Sequence, residues 1–388
     1  MILLKNCSVY SPFNLGKKDI LLSYDKILGI SSPIDPPKDN FPSLEVIDLK
    51  NKTVIPGLID LHVHMIGGGG EGGFTTRTPE LNISGFFKGG ITTAIGLLGT
   101  DAVTRSLPQL LSKARALDEE GLCTYIWTGS YELPTRILTQ NPRSDIILID
   151  KIIGIGELAV SDHRSSNPQI HELIHIASEA RVGGLLSGKC GILHIHLGDG
   201  KLGLKPVLDI FDNSDIPYEN ILPTHVNRNP KLFNEAIKFG KKGGYFDITS
   251  GINKDDDGGV APDSAYISAL ESSVNKNHIT MSSDGGGSKP SFDENGKLLK
   301  LGVADLSSQF KCLKGLLSKD LKMEDALLPF TFNPANLLKL PKQGIISEGC
   351  YANINILDEN NDLFGVISKG ERVLWDYNVI KFSKFEKI

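Results

Sequence analysis

Five residues that could bind a metal ion lie near the ends of short apolar segments. His62 and His64 stand two apart in VIPGLIDLHVH, so in a β-strand both imidazoles leave the same face. Similar segments further along the chain end near His196, His225 and Asp284. Histidine nitrogen together with carboxylate oxygen is a typical ligand set for Zn²⁺. The pattern therefore predicts a metal site built from residues far apart in the sequence.

Four further residues of this kind need to be weighed. Glu157, in the segment IIGIGELAV, is placed to bridge two ions with its carboxylate. HELIH matches the HExxH pattern of zinc peptidases, but on a helical projection His171 and His175 fall opposite the apolar stripe, so we expect them to face solvent. His194 shares a strand face with His196, one layer deeper. We expect it to be a hydrogen-bonded interior histidine, with metal ligation as the alternative.

Eight apolar, β-rich segments with helical stretches between them must position these side chains. They span 54–64, 92–100, 124–131, 152–160, 192–198, 221–226, 245–250 and 279–285. Such alternation predicts βα units and a parallel sheet, and eight units predict a (β/α)8 TIM-like barrel. Because sites in these barrels are built at the carboxyl ends of the strands, we expect the polar residues there to converge.

The two ends of the chain have a different pattern. Residues 56–340 are assigned to the barrel, whereas 1–55 and 341–388 both consist of short strand-like segments separated by turns. Neither end is long enough to bury a core of its own. The predicted fold is therefore α/β: a barrel with a small β-sandwich domain built from both chain termini.

Composition excludes several classes of protein. Lys and Arg number 41 against 46 Asp and Glu, a net charge of -5, which speaks against a basic surface for nucleic acid. Five scattered cysteines without a CxxC pair exclude a disulfide framework and favour a reducing, cytoplasmic setting. The longest apolar stretch, 146–160, is interrupted by charged residues, and the N-terminus lacks the basic region of a signal peptide, so no membrane partner is expected.

Six motifs are spread over the whole predicted barrel. They are HVHMIGGGGEGGFTTRTPE (62–80), GLLGTD (96–101), SDHRS (161–165), RVGGLLSGK (181–189), PTHVNRN (223–229) and SSDGGGS (282–288). Together they resemble the motifs of the amidohydrolase superfamily, and more closely those of its isoaspartyl (β-aspartyl) dipeptidase family. GIISEGCYANINIL (344–357) is similar to the superfamily's return into the sandwich, with Asn353 where aspartate is more usual.

The resemblance implies two zinc ions per subunit. The implied ligands are His62, His64 and Asp284 for one ion and His196 and His225 for the other. The family pattern has a carboxylated lysine as the bridge, where this sequence has Glu157 preceded by one apparent extra residue. Because glutamate is shorter than carboxylated lysine, the strand must bulge toward the ions, which Gly154 and Gly156 permit. We therefore predict that Glu157 bridges directly and that no lysine carboxylation is required.

The resemblance further implies a peptidase that hydrolyses the isopeptide bond of β-aspartyl dipeptides. A metal-bridging hydroxide would attack the carbonyl with Asp284 as general base and then acid, and the Tyr131 hydroxyl would help to stabilise the oxyanion. The free ends of such a dipeptide are one ammonium, which suits Glu71, and two carboxylates, which suit Arg164 and Arg228. The resemblance adds three hydrogen-bonding residues, Gly69, Thr100 and Ser288.

The sequence leaves alternatives open. A cyclic amidase of the dihydroorotase or hydantoinase kind, or an N-acyl-amino-acid deacylase, would share the metal site, and a non-catalytic barrel scaffold is a further reading. The polar segment 253–262 suits either a mobile lid or a solvated loop. The partners we expect are a small dipeptide substrate and, from the resemblance, further copies of the chain in a homo-oligomer, for which an octamer is one arrangement.

Overall fold

Strands and helices alternate along most of the chain in this computed structural model, which describes residues 1–36, 43–252, 258–292 and 298–387. The strands are β1 (Ile2–Tyr10), β2 (Asn14–Ser23), β3 (Lys26–Ser31), β4 (Glu45–Asp48), β5 (Thr53–Pro56), β6 (Leu58–Val63), β7 (Ile91–Gly96), β8 (Cys123–Thr128), β9 (Ile152–Val160), β10 (Ile192–Leu197), β11 (Ile221–Thr224), β12 (Phe246–Thr249), β13 (Ile279–Ser282), β14 (Ser288–Phe292), β15 (Leu298–Val303), β16 (Ile354–Leu357), β17 (Leu363–Ser368), β18 (Glu371–Trp375) and β19 (Asn378–Val379). The α-helices are α1 (Ile83–Lys88), α2 (Leu107–Glu119), α3 (Pro142–Leu148), α4 (Ile170–Ser187), α5 (Lys205–Asp212), α6 (Pro230–Lys241), α7 (Pro262–Glu271), α8 (Ser308–Ser318), α9 (Met323–Leu327) and α10 (Phe332–Leu337).

A curled parallel sheet forms the centre of the fold. Strands β6 to β11 lie side by side in chain order, and β12 and β13 form a second parallel pair. A bridge joins Val63, at the end of β6, to Gly285, just after β13, and the backbone N–H of His64 donates to the Gly285 carbonyl at 2.8 Å. Between β11 and β12, Thr224 donates to Asp247 at 2.7 Å. The predicted α/β class is therefore correct. β13, the last of the eight parallel strands, lies next to β6, the first of them.

The strands of this sheet are buried on both faces, as expected when helices cover a parallel sheet. Every residue of β6, β7, β9 and β10 is buried. Helix α4 shows how a helix covers it, because Leu173, Ala177 and Ala180 are buried while His171 and His175 are exposed. The prediction that the HELIH histidines face solvent is confirmed, and they cannot form a buried metal site.

Strands from both chain ends join in one nine-stranded mixed sheet. Its order is β19-β18-β17-β16-β5-β1-β2-β3, with β4 also paired to β1. β5 is the link, because it runs parallel to β1 on one edge and antiparallel to β16 on the other. A separate apolar cluster packs on this sheet and includes Leu4, Val54, Ile354 and Ile367. Both termini thus build one sheet, while its division into two sandwich layers stays a prediction.

All five cysteines are free and buried. Burial raises the pKa of the Cys7 and Cys190 thiols to about 12, so both are protonated at neutral pH and are not thiolate metal ligands. None of the described helices combines the length and the apolar character that crossing a bilayer requires.

Asp118, near the end of α2, connects the parallel sheet with the nine-stranded sheet. Its two carboxylate oxygens lie 2.8 Å from Lys151 Nζ, just before β9, and 2.6 Å from Lys369 Nζ, in the turn between β17 and β18. Burial raises the pKa of Asp118, but the hydrogen bonds from the two lysines outweigh this and hold the pKa below its usual value. The carboxylate is therefore charged in the folded protein at neutral pH.

Asp118→Asn is expected to lower the free energy of unfolding at pH 7 by about 1–2 kcal/mol, since two partly buried charge-assisted hydrogen bonds weaken. Because the folded-state pKa lies below the unfolded value of about 4, this stabilisation is complete above that value and is lost as the pH falls through the folded-state pKa. Urea unfolding from pH 7 to pH 3 measures the difference. Asp150→Asn is the control, because its pair with Arg115 is exposed and 3.4 Å long, and an equal effect of both variants would contradict the link.

Candidate metal centre and substrate pocket

Six side chains predicted as metal ligands come together at the carboxyl end of the parallel sheet. They are His62 in β6, His64 just after it, Glu157 in β9, His196 in β10, His225 just after β11 and Asp284 just after β13. Five of them are buried, and Asp284 is the partly exposed one, with a quarter of its side chain accessible. The group therefore opens to solvent on the side of Asp284.

Glu157 lies among the four imidazoles. Its Oε2 atom is 3.1 Å from His196 Nδ1, 3.4 Å from His62 Nε2 and 3.7 Å from His225 Nε2, and its Oε1 atom is 3.5 Å from His64 Nε2. Burial raises the pKa of Glu157, but the surrounding imidazoles, His62 first, hold the pKa well below its usual value. The carboxylate is thus ionised and in reach of every predicted histidine ligand.

A bulge in β9 places the Glu157 carboxylate in this position. Between two positions paired with β10, β10 advances two residues whereas β9 advances three, from Ile155 to Leu158. The extra residue falls at Gly156 and Glu157, and a Cβ at Gly156 would lie 2.8 Å from the Cβ of His194. Only glycine fits this close approach of the two strands. The bulge predicted from the extra residue in the sequence is present.

Asp284 faces the two histidines of β6. Its Oδ1 atom is 3.2 Å from His64 Nε2 and 3.4 Å from His62 Nε2. Burial raises the pKa of Asp284, but the His62 and His64 imidazoles beside it outweigh this, so the pKa lies well below its usual value and the group is ionised. A Cβ at Gly287 would come within 2.7 Å of Oδ1 and 3.1 Å of the His64 ring, so glycine is required there.

The donor atoms at this site fit metal ions. His62 Nε2, His64 Nδ1 and Glu157 Oε1 are buried without a hydrogen-bond partner among the described residues, which is costly unless another group satisfies them. Two sets of donor atoms lie within 4.8 Å of one another, His62 with His64 and Asp284, and His62 with Glu157 and His225. Imidazole and carboxylate donors in this number are typical of zinc.

His196 stands outside both sets because other groups hold its ring. Its Nε2 atom is 3.0 Å from Asp162 Oδ2, and its Nδ1 atom is 2.9 Å from the Tyr131 hydroxyl. An aspartate that holds one imidazole nitrogen commonly orients a metal-ligating histidine. Asp162 belongs to the motif SDHRS, yet no role was predicted for it from the sequence. Its place directly after β9, at the carboxyl end of a strand, is the signal that could have found it.

Two other imidazoles are held at their second nitrogen. His62 Nδ1 lies 2.8 Å from His194 Nε2, and His225 Nδ1 lies 2.7 Å from Thr249 Oγ1. His194 is therefore a hydrogen-bonded interior histidine, as predicted, and its partner is one of the predicted ligands. Neither contact could be read from the sequence, because each depends on how strands far apart in the chain are aligned.

Charged residues predicted to bind substrate are in contact with one another beside His196. Arg164 Nη1 lies 3.1 Å from Glu71 Oε1, and Thr100 donates to the same oxygen at 3.0 Å. Asp162 holds Arg164 by two bonds, at 2.9 Å to Nε and 2.7 Å to Nη2. The guanidinium carbon of Arg164 also lies 5.4 Å from the centre of the Tyr131 ring. One carboxylate and one guanidinium thus stand at the mouth of the metal centre.

The remaining predicted substrate residues line the same mouth. Gly69 has a positive φ of 69°, and a Cβ there would lie 3.0 Å from the Ser288 Cβ, so the two residues are adjacent. Arg228 follows His225 by three residues, and its Nε atom is buried without a hydrogen-bond partner within the described ranges. A buried guanidinium N–H of this kind is available to an anionic ligand.

Arg105 fixes the glycine-rich loop that carries Gly69. Its guanidinium is buried and donates to the carbonyls of Ile66 at 3.1 Å, Gly68 at 2.8 Å, Gly69 at 3.3 Å and Thr78 at 3.2 Å. One side chain thus satisfies four carbonyls of this loop. It also pairs with Asp101 at 3.3 Å, but no sequence signal marks the residue, since most of its contacts are to backbone.

The segment 253–262, predicted as either a lid or a solvated loop, is described only in part, because residues 253–257 lie outside the described residues. Val260 is anchored, since its N–H donates to the Asn227 carbonyl at 2.9 Å and its carbonyl accepts from Asn227 Nδ2 at 3.0 Å. The end of the segment is therefore joined to the loop that carries His225 and Arg228.

Comparison with known proteins places this geometry in a family. The model of the "Amidohydrolase family" matches residues 45–95, which include the two histidines at the end of β6. Among solved structures, the β-aspartyl dipeptidase of Fervidobacterium islandicum AW-1 in complex with β-Asp-Leu is 41% identical, with a TM-score of 0.91, over 99% of this chain and 100% of that chain. A second structure of a β-aspartyl dipeptidase from that organism is 40% identical with a TM-score of 0.90, again over 99% and 100%.

Curated relatives add a more distant likeness. The dihydroorotase of Carboxydothermus hydrogenoformans is 24% identical and covers 92% of this chain and 88% of its own length. The high identity to the two dipeptidase structures extends along the full chain, whereas the likeness to the dihydroorotase is weaker throughout. The chain is therefore a hydrolase of the amidohydrolase superfamily, and within that superfamily it belongs to the isoaspartyl (β-aspartyl) dipeptidase family.

Proposed function

We propose that this chain is a binuclear zinc peptidase that hydrolyses the isopeptide bond of β-aspartyl dipeptides. The observation that carries the proposal is the contact of Glu71 with Arg164, 3.1 Å apart beside the metal centre. A β-linked dipeptide presents a free ammonium next to a free carboxylate, which these two opposite charges complement. The 41% identical relative that was crystallised with β-Asp-Leu supports the same substrate class.

The metal ions would be held by the six residues described above. His62, His64 and Asp284 would take one ion and His196 and His225 the other, with Glu157 between them. When bound, zinc makes hydroxide available near neutral pH and polarises a carbonyl group. The buried donor atoms that lack a hydrogen-bond partner in the described part of the chain, Glu157 Oε1 among them, support this assignment.

Asp284 is the proposed general base and acid. It is ionised, since its pKa lies well below the usual value, and it is the ligand open to solvent. It would take a proton from the attacking water and then give that proton to the departing amine. Burial, and Glu157 after it, raises the pKa of Tyr131 well above its usual value, so its hydroxyl stays protonated and can donate to the oxyanion.

The substrate's charged ends would be divided among three side chains. Glu71 would bind the ammonium, while Arg164 and Arg228 would bind the two carboxylates. Gly69, Thr100 and Ser288 would add hydrogen bonds to the same ligand. The contact of Thr100 with Glu71 supports these assignments, and so does the Arg228 Nε atom, which is buried without a hydrogen-bond partner among the residues that the structure describes.

Turnover of five substrates by the zinc-loaded enzyme tests the proposal: β-Asp-Leu, α-Asp-Leu, dihydroorotate, hydantoin and an N-acyl amino acid. We expect kcat/KM for β-Asp-Leu to exceed the other values by at least about 100-fold, because only the β-linked peptide carries its ammonium and one carboxylate on the same carbon, where Glu71 and Arg164 can bind both. A preference for a ring substrate would favour the cyclic amidase alternative, to which the dihydroorotase likeness points. Preference for an N-acyl amino acid would favour the deacylase, and fewer than about one zinc ion per chain would favour the non-catalytic scaffold.

Glu71→Gln is expected to lower kcat/KM for β-Asp-Leu by about 10–100-fold, since a charge-assisted bond to the ammonium is worth about 1.5–3 kcal/mol. Zinc content should not change, because Glu71 contacts Thr100 and Arg164 rather than the metal ligands. Steady-state kinetics with metal analysis makes the measurement. The control is Glu80→Gln. Glu80 lies on the same loop as Glu71, and its carboxylate pairs with Lys113 of α2. A Glu71→Gln value within about threefold of wild type would show that the ammonium binds elsewhere.

Other features complete the proposal. We propose that the eight parallel strands close into a (β/α)8 barrel over 56–340, and that 1–55 and 341–388 form a small β-sandwich domain. The bridge between Val63 and Gly285 supports closure, and the shared nine-stranded sheet supports the second domain. We further propose a homo-oligomer, which size-exclusion chromatography with light scattering would test, and a cytoplasmic setting, which the five free cysteines favour.

A further inference from the structure

His194 is buried in β10 with both ring nitrogens engaged. Its Nε2 atom is 2.8 Å from His62 Nδ1, and its Nδ1 atom is 3.1 Å from the Leu222 carbonyl oxygen. The ring stacks on Trp127, with centroids 5.3 Å apart and an interplanar angle of 23°. Trp127 is itself fixed by a 3.0 Å hydrogen bond from Nε1 to the Leu61 carbonyl. The position and tilt of the His194 ring are therefore set by three strands.

These contacts determine where the protons lie. A carbonyl oxygen only accepts hydrogen bonds, so the nitrogen of His194 that faces Leu222 must carry a proton. The ring has no carboxylate in contact within the described part of the chain, and burial of an unpaired charge is costly, so the ring is neutral. Its Nε2 atom then carries a lone pair and accepts from His62, which must be protonated at Nδ1. With Nδ1 bonded to His194, Nε2 is the nitrogen of His62 that faces the metal centre, 3.4 Å from both Glu157 and Asp284.

The other imidazoles at the site are held differently. His225 faces the Thr249 hydroxyl, which can donate or accept and so permits either tautomer. His196 faces Asp162, a carboxylate that accepts directly. Of His62, His196 and His225, only His62 is held by another imidazole, that of His194. The tautomer of His194 is in turn fixed by the Leu222 carbonyl.

We propose that His194 is a positioning residue that holds His62 in the Nδ1–H tautomer and turns its Nε2 lone pair toward the metal centre. The inference rests on the proposed metal-dependent function, because it assigns a role toward the metal to a residue that binds no metal itself. His62 belongs to both sets of donor atoms at the site, so the orientation of its ring affects both. Removing such a hydrogen-bond partner typically weakens metal affinity about 10–100-fold.

Two variants and one control test the proposal by zinc affinity, measured in competition with a chromophoric chelator. His194→Phe keeps the stacking on Trp127 but cannot accept from His62, and we expect zinc affinity to fall about 10–100-fold. His194→Gln can place its amide oxygen toward His62 and its NH₂ toward Leu222, so affinity should stay within about fivefold of wild type. His278→Phe, at a histidine stacked on Tyr245 away from the site, is the control and should leave affinity unchanged.

A second measurement uses the wild-type chain and so does not depend on a variant that folds. In ¹⁵N NMR spectra of the zinc-loaded protein, His194 should be protonated at Nδ1 and unprotonated at Nε2, and His62 should carry a proton on Nδ1. Unchanged zinc affinity in His194→Phe, equal losses in His194→Phe and His194→Gln, or a proton on His194 Nε2 would each overturn the inference. Wild-type protein that binds fewer than about one zinc ion per chain would instead overturn the proposed function, and this inference with it.

Discussion

Glu157→Gln is expected to abolish most metal binding and to reduce kcat/KM for β-Asp-Leu by at least about 1,000-fold. The carboxylate is buried among four imidazoles, and a neutral amide removes the negative charge that all of them face. Metal ions contribute several kcal/mol to transition-state stabilisation, and each 1.36 kcal/mol corresponds to a factor of ten. Metal analysis of purified protein should give fewer than about one zinc ion per chain, together with the loss of turnover.

The control for this prediction is Glu179→Gln. Glu179 is also a buried glutamate, but it pairs with Arg143 on the outer helices and lies away from the site. It should keep full zinc content and turnover. Wild-type enzyme reconstituted in buffer depleted of carbon dioxide should be as active as enzyme with bicarbonate, because no carboxylated lysine is needed. A bicarbonate requirement, or a fully loaded Glu157→Gln protein, would contradict a direct bridge.

Asp284→Asn is expected to lower kcat by about 100–10,000-fold, the range typical of general acid–base catalysis. Asp284 belongs to one of the two sets of donor atoms, and the other set, His62 with Glu157 and His225, does not include it. The variant should therefore retain at least about one zinc ion per chain. Pre-steady-state turnover and metal analysis on the same preparation separate the loss of the proton carrier from the loss of metal.

Asp305→Asn serves as the matched control, since that carboxylate bonds to Ser307 and Lys311 at the start of α8. It should leave kcat unchanged. If Asp284→Asn lost all zinc, its low activity would say nothing of proton transfer, and titration of kcat with added zinc would then decide. Full recovery of kcat at high zinc would rule out Asp284 as the general base.

The positions of the metal-ligating types could be predicted because they follow simple periodicities. His62 and His64 share a face by the two-residue repeat of a strand, and the other predicted ligands follow the carboxyl ends of later strands. The bulge at Glu157 could also be predicted, because the family resemblance implies one extra residue before it, and the register of β9 against β10 agrees. In each case the relevant information lies in one segment of the sequence or in its family pattern.

The contacts around these ligands could not be predicted, because they depend on alignment between segments. His194 faces His62 across the interior from a strand 132 positions later in the chain. Arg105 donates to backbone carbonyls, which every residue has. The residue types in the loop therefore do not indicate that an arginine binds there. Asp162 stood in a motif but gained a role only from its distances to His196 and Arg164.

The strand order of the nine-stranded sheet could not be predicted from the sequence for the same reason. Short strands at both chain ends were evident, but their pattern did not show that β5 pairs with β1 on one edge and β16 on the other. A strand's own sequence does not specify its neighbours when several apolar strands compete for the same edge. Long-range pairing therefore needed the structure.

The contact between Glu71 and Arg164 has a consequence for how the pocket discriminates among peptides. With no peptide bound, these side chains neutralise each other, so at long range their fields largely cancel and attract neither anions nor cations. A ligand with only a carboxylate must displace Glu71 from Arg164 and leaves Glu71 without a cation. A ligand with an ammonium beside a carboxylate replaces the ion pair of Glu71 and Arg164 with two ion pairs, one to each side chain. The two side chains therefore select the peptide by direct contact and not by long-range attraction. Because no long-range attraction is there to be screened, the rate of association should change little with ionic strength.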